Sequence, residues 1–136
     1  MAEKLGRLPL ALAQACAYIK ENKMTISRYL EIYAERKLYL LSHKTLPKDS
    51  NHEPVFITWD ITMDAIRNES KLASKLLVAC AYLDNDIPKD LLRIFPEIVE
   101  NNSEEKPFEE VLGILLRYSM LVSNEQSSSV SIHCLV

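Results

Sequence analysis

The sequence predicts a mainly α fold that closes with a β-hairpin, and three observations carry that prediction. Apolar residues recur at helical spacing through most of the chain, only two of the 136 positions are glycine, and period-two alternation appears at the C-terminal end. So few glycines leave little room for the tight turns of an all-β protein. At 48% hydrophobic and 26% charged residues, the composition is that of a globular chain able to build a core.

The first helix follows Leu5-Gly6-Arg7-Leu8-Pro9, with Pro9 in its first turn, where the missing N–H is no loss. Leu8, Leu12, Ala15 and Ile19 make its apolar stripe, with Ala11 and Cys16 beside them. Asn22-Lys23 turns the chain, and Thr25 or Ser27 can cap a second helix whose stripe reads Ile26, Leu30, Tyr33, Ala34, Leu38 and Leu41. This helical hairpin needs a further apolar surface to cover both stripes.

Leu46 to Pro54 is polar and Pro/Asp/Ser/Asn-rich, and the charge balance changes there: residues 1–46 carry 8 Lys/Arg against 4 Asp/Glu, residues 47–136 carry 8 against 15. The expected division is therefore residues 1–45 as the end of a small helical domain, 46–54 as linker and 55–136 as a second domain. A third helix spans Val55 to Arg67, with Ile57, Trp59, Ile61, Met63, Ala65 and Ile66; Trp59 reads as a core anchor. Ser70 caps a fourth, with Leu72, Leu76, Ala79, Cys80 and Leu83 on one face, and Asp84-Asn85-Asp86 ends it. Pro88 starts a short helix through Leu91, Leu92 and Phe95. After a polar loop, Pro107 opens a helix with Phe108, Val111, Leu112 and Leu115 inward and Gly113 as its weak point. Tyr118–Ser123 and Val130–Val136 then flank a polar turn as two strands. Helices closed by such a hairpin describe a winged helix.

Chemistry within the chain is sparse. Neither G-x-x-x-x-G-K-[ST] nor G-x-G-x-x-G occurs, Ser127–Ser129 lack a Gly-x-Ser-x-Gly setting, and no motif places paired carboxylates, so no enzyme is expected. Cys16, Cys80 and Cys134 have no C-x-x-C spacing, and the first two read as small apolar fillers in a reducing cytoplasm. His43 and His52 are loop residues with no carboxylate or thiol cluster, so no metal is expected. No run approaches 18 apolar residues, which excludes a membrane helix, and Glu3, Lys4 and Arg7 rule out a signal peptide. Glu104, Glu105, Glu109 and Glu110 crowd the helix that a winged-helix DNA reader would insert, opposed only by Lys106 and Arg117; DNA is not an expected partner.

Two motifs at opposite ends remain. Gly6-Arg7-Leu8-Pro9-Leu10-Ala11-Leu12 resembles the "GLPLAL" motif, and Ile132-His133-Cys134-Leu135-Val136 the "MHD" motif, of NB-ARC (STAND-type) signalling NTPases, in particular the branch with tetratricopeptide repeats. The resemblance implies that Leu8 and Pro9 lie near the adenine of ADP and that His133 reaches its β-phosphate from the winged helix. Cys134 stands where the family often has aspartate. It further implies an internal piece of a larger switch protein, binding ADP or ATP only together with an upstream P-loop domain, with repeats downstream and no nucleotide on the isolated piece. The alternative is a helical protein–protein interaction module, including self-association through the hairpin of residues 8–41.

Overall fold

The computed structural model describes residues 1–43, 53–83, 85–94, 108–124 and 126–132 of the chain, and these form two compact units, residues 1–64 and 65–136. The architecture is mainly α with one small antiparallel sheet near the C-terminus.

In the first unit, α1 (Pro9–Glu21) and α2 (Ile26–Ser42) form the expected hairpin, followed by α3 (Glu53–Glu69), whose first part belongs to this unit. Thr25 caps α2, accepting a bond from the Arg28 N–H at 3.2 Å. The hairpin is not left bare. Leu5, Ala11, Ala15, Tyr29, Tyr33, Leu40, Ile57 and Ile61 form one buried core, with Val55 and Phe56 half-buried against it. Part of the apolar surface the hairpin needs is supplied by α3 and by Leu5, while Leu38, Tyr39 and Leu41 stay exposed. Accordingly, the compact units divide inside α3, between Asp64 and Ala65, whereas the composition changes at 46–54.

The inward face of α2 is turned from the one the apolar spacing predicts. Tyr29, Tyr33 and Leu40 are buried, while Ile26, Leu38 and Leu41 are about half exposed or more. The tyrosines hold the largest apolar area, and the same side carries Arg36 and Lys37 towards the carboxylates of α3, so this face wins. Similarly in α1, Gln14 is buried and Cys16 exposed, against the sequence reading of Cys16 as a filler. Trp59 is half-buried rather than a buried anchor.

The second unit holds α4 (Lys71–Cys80), β1 (Ile87–Pro88), α5 (Lys89–Arg93), α6 (Phe108–Arg117), β2 (Leu121–Asn124) and β3 (Ser129–Ile132). Ser70 caps α4, accepting from the Ala73 N–H at 3.1 Å. Pro88 lies in a strand and at the N-cap of α5, one position earlier than expected. Strand order is β1-β3-β2, all antiparallel, with Ile87 opposite Val130 and Leu121 opposite Ile132. Two residues of β1 are too short to register as periodicity, and only pairing with β3 makes them a strand. The core here takes Leu72, Leu76, Leu77 and Cys80 from α4, Val111, Ile114 and Leu115 from α6, and Leu121 and Val130 from the sheet. Leu83, assigned to the α4 stripe, is exposed beyond the helix end.

Candidate functional site

The segment around Pro9 is built by its backbone. Gly6 and Arg7 both lie in the left-handed region, at φ 64° and 56°, and the Arg7 N–H donates to the Ala2 carbonyl at 2.9 Å. A β-carbon on Gly6 would stand 3.3 Å from Cγ of Pro54, in the first turn of α3. Glycine is therefore favoured twice, by its dihedral angle and by the close approach of the Pro54 ring. Leu8 is the N-cap of α1, extended at φ −81° and ψ 121°, with its side chain half-buried against the first core. Pro9 occupies the first helical position and is exposed. The loop fixes where the proline ring stands and leaves its outer face to solvent. His133 lies outside the described residues; β3 is described up to Ile132.

Three polar links tie α3 into this unit, and none was singled out from the sequence. The Thr58 hydroxyl stands 2.9 Å from Oε1 of the buried Gln14 and 2.9 Å from the Val55 carbonyl, so its one proton is shared between a link to α1 and a bond within α3. Arg36 of α2 reaches Asp60 at 3.2 Å and also pairs with Asp64, and Lys37 pairs with Glu53. Aspartates four apart on one helix face are visible in the sequence, but which arginine they meet is decided by the packing of α2.

The titratable groups nearby are pushed away from ionisation. Burial raises the Tyr33 hydroxyl to about 12, with Glu53 adding to it. Burial likewise raises Tyr29, whose hydroxyl is buried without a hydrogen-bond partner among the described residues. Tyr18 is raised by burial, with Arg36 opposing and Asp64 assisting. In the second unit burial pushes the Cys80 thiol up to about 11. None of these groups changes charge near neutral pH, so they serve packing. Among the described residues no three His, Cys, Asp or Glu side chains converge on a metal position, and no helix is long and apolar enough to cross a membrane.

The class that fold and motifs define is thus a mainly helical, multi-unit segment without a catalytic constellation among its described residues. Among characterised sequences, the chain is similar to a nucleotide-binding leucine-rich repeat (NLR)-like protein of Hyaloscypha variabilis, 31% identical over 148 aligned residues. The match covers all of this chain and 14% of that protein's length, so the chain spans only a small part of the relative it matches. No family profile and no solved structure matches the chain.

Proposed function

We propose that the chain is the regulatory, helical part of a nucleotide-dependent signalling switch of the NLR/NB-ARC kind, and that it contributes ADP-sensing contacts and no catalysis. The carrying observation is the similarity along the whole chain to a protein named as nucleotide-binding and NLR-like, joined to a motif whose proline the backbone presents outward. The element order α4, β1, α5, α6, β2, β3, with β3 central, supports reading residues 55–136 as a winged helix. In this proposal Leu8 and Pro9 pack against the adenine and His133 donates a hydrogen bond to a phosphate.

The residues on the first unit fit such a role. Pro9 offers an exposed apolar ring on a loop braced by Gly6 and Pro54, which is what stacking on a base requires. Nucleotide binding itself belongs to an upstream P-loop domain, and downstream repeats are the further partner; the cytoplasm is the proposed location. A hydrogen bond to a charged phosphate is worth about 1.5–3 kcal/mol, enough to move a balanced switch by tenfold or more.

The test is to purify the full-length protein natively, denature it and identify released nucleotide by chromatography. ADP in near-equal amount to protein is expected, and His133→Ala should shorten its retention. Protein that carries no nucleotide and binds none would sink the reading and favour a helical interaction module. That second reading has its own observation: Leu38, Tyr39 and Leu41 on α2 are exposed apolar side chains.

A further inference from the structure

We infer that Arg36, Asp60 and Asp64 form a latch that sets how firmly α3 is held against α2, and through α3 controls release of the nucleotide; this rests on the proposed function. The guanidinium is shared between two helix-neighbouring carboxylates: Nη1 stands 3.2 Å from Asp60 Oδ2 while Nη2 bonds Asp64 Oδ2. Asp60 and Asp64 are one turn apart on the same face of α3. Two carboxylates so placed repel each other, and a planar cation lying between them converts that repulsion into a shared attachment. Arginine suits the position because its fork can serve both acceptors, and it also lies 6.0 Å from the Tyr39 ring centre.

The location distinguishes this contact from the core around it. Ile57 and Ile61 are buried and hold α3 by apolar area, whereas the Arg36 and Asp60 side chains are each 27% exposed and Asp64 37%. The contact is therefore only partly open to water: the Asp60 Oδ2 atom facing Arg36 is itself buried, so the ion pair holds a carboxylate inside the seam between α2 and α3. It also falls on the last turn of α3 inside the first unit, which ends at Asp64 while the same helix runs on to Glu69. At its other end α3 bears on the proposed base-binding loop, since Pro54 meets the position where a Gly6 β-carbon would stand, and at its middle Thr58 contacts Gln14 of the Pro9 helix. One rigid helix therefore touches the Gly6–Pro9 loop, the helix that carries Pro9 and the latch. Opening the latch frees α3 to shift, and the brace behind Pro9 shifts with it.

The experiment uses the full-length protein loaded with a fluorescent ADP analogue, whose release is followed after mixing with excess ATP, alongside hydrogen exchange of the α3 amides in nucleotide-free protein. Arg36→Gln should speed release on the order of tenfold and hasten exchange in α3. Asp60→Asn and Asp64→Asn added to that background remove the repulsion between the two neighbouring carboxylates, and should restore both readings towards the parent. Arg36→Lys keeps the charge and loses the fork; it should fall between, and it serves if Arg36→Gln does not fold. Unchanged release in the arginine variants, with or without altered exchange, overturns the latch while leaving nucleotide binding standing. Failure of the aspartate changes to restore release also overturns it, because lost packing would then explain the effect. A parent that binds no analogue removes the nucleotide reading itself, an outcome told apart from the others before any variant is made.

Discussion

Gly6 and Ser119 occupy the same left-handed region of backbone space, and only one of them is suited to it. An L-residue there pays roughly 1–2 kcal/mol relative to glycine. Gly6→Ala should therefore cost at least that much, with added strain because the new methyl would stand 3.3 Å from Pro54. Ser119, at φ 55°, ends α6 as the left-handed residue of a C-cap: its N–H reaches the Leu116 carbonyl and the Met120 N–H the Leu115 carbonyl, both at 3.0 Å. Ser119→Gly keeps those bonds and removes the clash, so its urea midpoint should rise, by the equivalent of about 1 kcal/mol. The thiols differ as sharply. Cys16 is exposed and Cys80 buried with its proton held, so a maleimide at neutral pH should label Cys16 and spare Cys80 in the folded chain. Raised acids stabilise the fold fully below their unfolded values, here 9.0 for Cys80 and 10.0 for Tyr33. That contribution is lost as pH climbs through the folded values of about 11 and about 12, so the thermal midpoint should fall progressively above about pH 9 and recover on return to neutrality.

At the level of helices, polar groups decide what the apolar pattern leaves open. The spacing of apolar residues located α1, α2, α4 and α6 because each buries a continuous row, and the caps Thr25 and Ser70 were readable because a hydroxyl at that offset satisfies an orphan N–H. It misplaced part of the face of α2: Tyr33 of the expected row is buried, but Ile26, Leu38 and Leu41 are exposed, and nothing local says that Tyr29, Leu40 and Arg36 will turn inward instead. Of the candidate site, Pro9 at the first helical position was legible and Gly6 was too; the brace by Pro54 was not, since it joins residues nearly fifty positions apart. Gln14–Thr58 belongs with these long-range links. Thr58→Val deletes the hydroxyl that Gln14 accepts from in a dry core, and should cost about 1–3 kcal/mol in urea unfolding. Gly113→Ala tests the opposite sign on α6. The added methyl meets only the end of the Arg117 side chain, at 3.9 Å, so the gain in helix propensity, about 1 kcal/mol, should appear undiminished.

For the whole chain, the decisive feature is that α3 is counted in both compact units: its buried Ile57 and Ile61 complete the first core, and Ile66 is buried beyond the division. Composition marks a change at 46–54, whereas the compact units divide between Asp64 and Ala65. A chain cut in that polar stretch, residues 1–52, keeps α1 and α2 but loses Val55, Phe56, Ile57 and Ile61 from the core, together with the partners of Gln14, Arg36 and Lys37. Two helices of 13 and 17 residues with an uncovered seam are marginal in water, because most helical stability comes from tertiary packing. Extending the chain to residue 69 restores every one of those contacts. Residues 1–69 should therefore show cooperative urea unfolding and strong helical circular dichroism, while residues 1–52 show weak helicity and no cooperative transition. Equal cooperativity in both would mean that the hairpin is self-sufficient, and α3 would then lose its place as the element on which the first core depends.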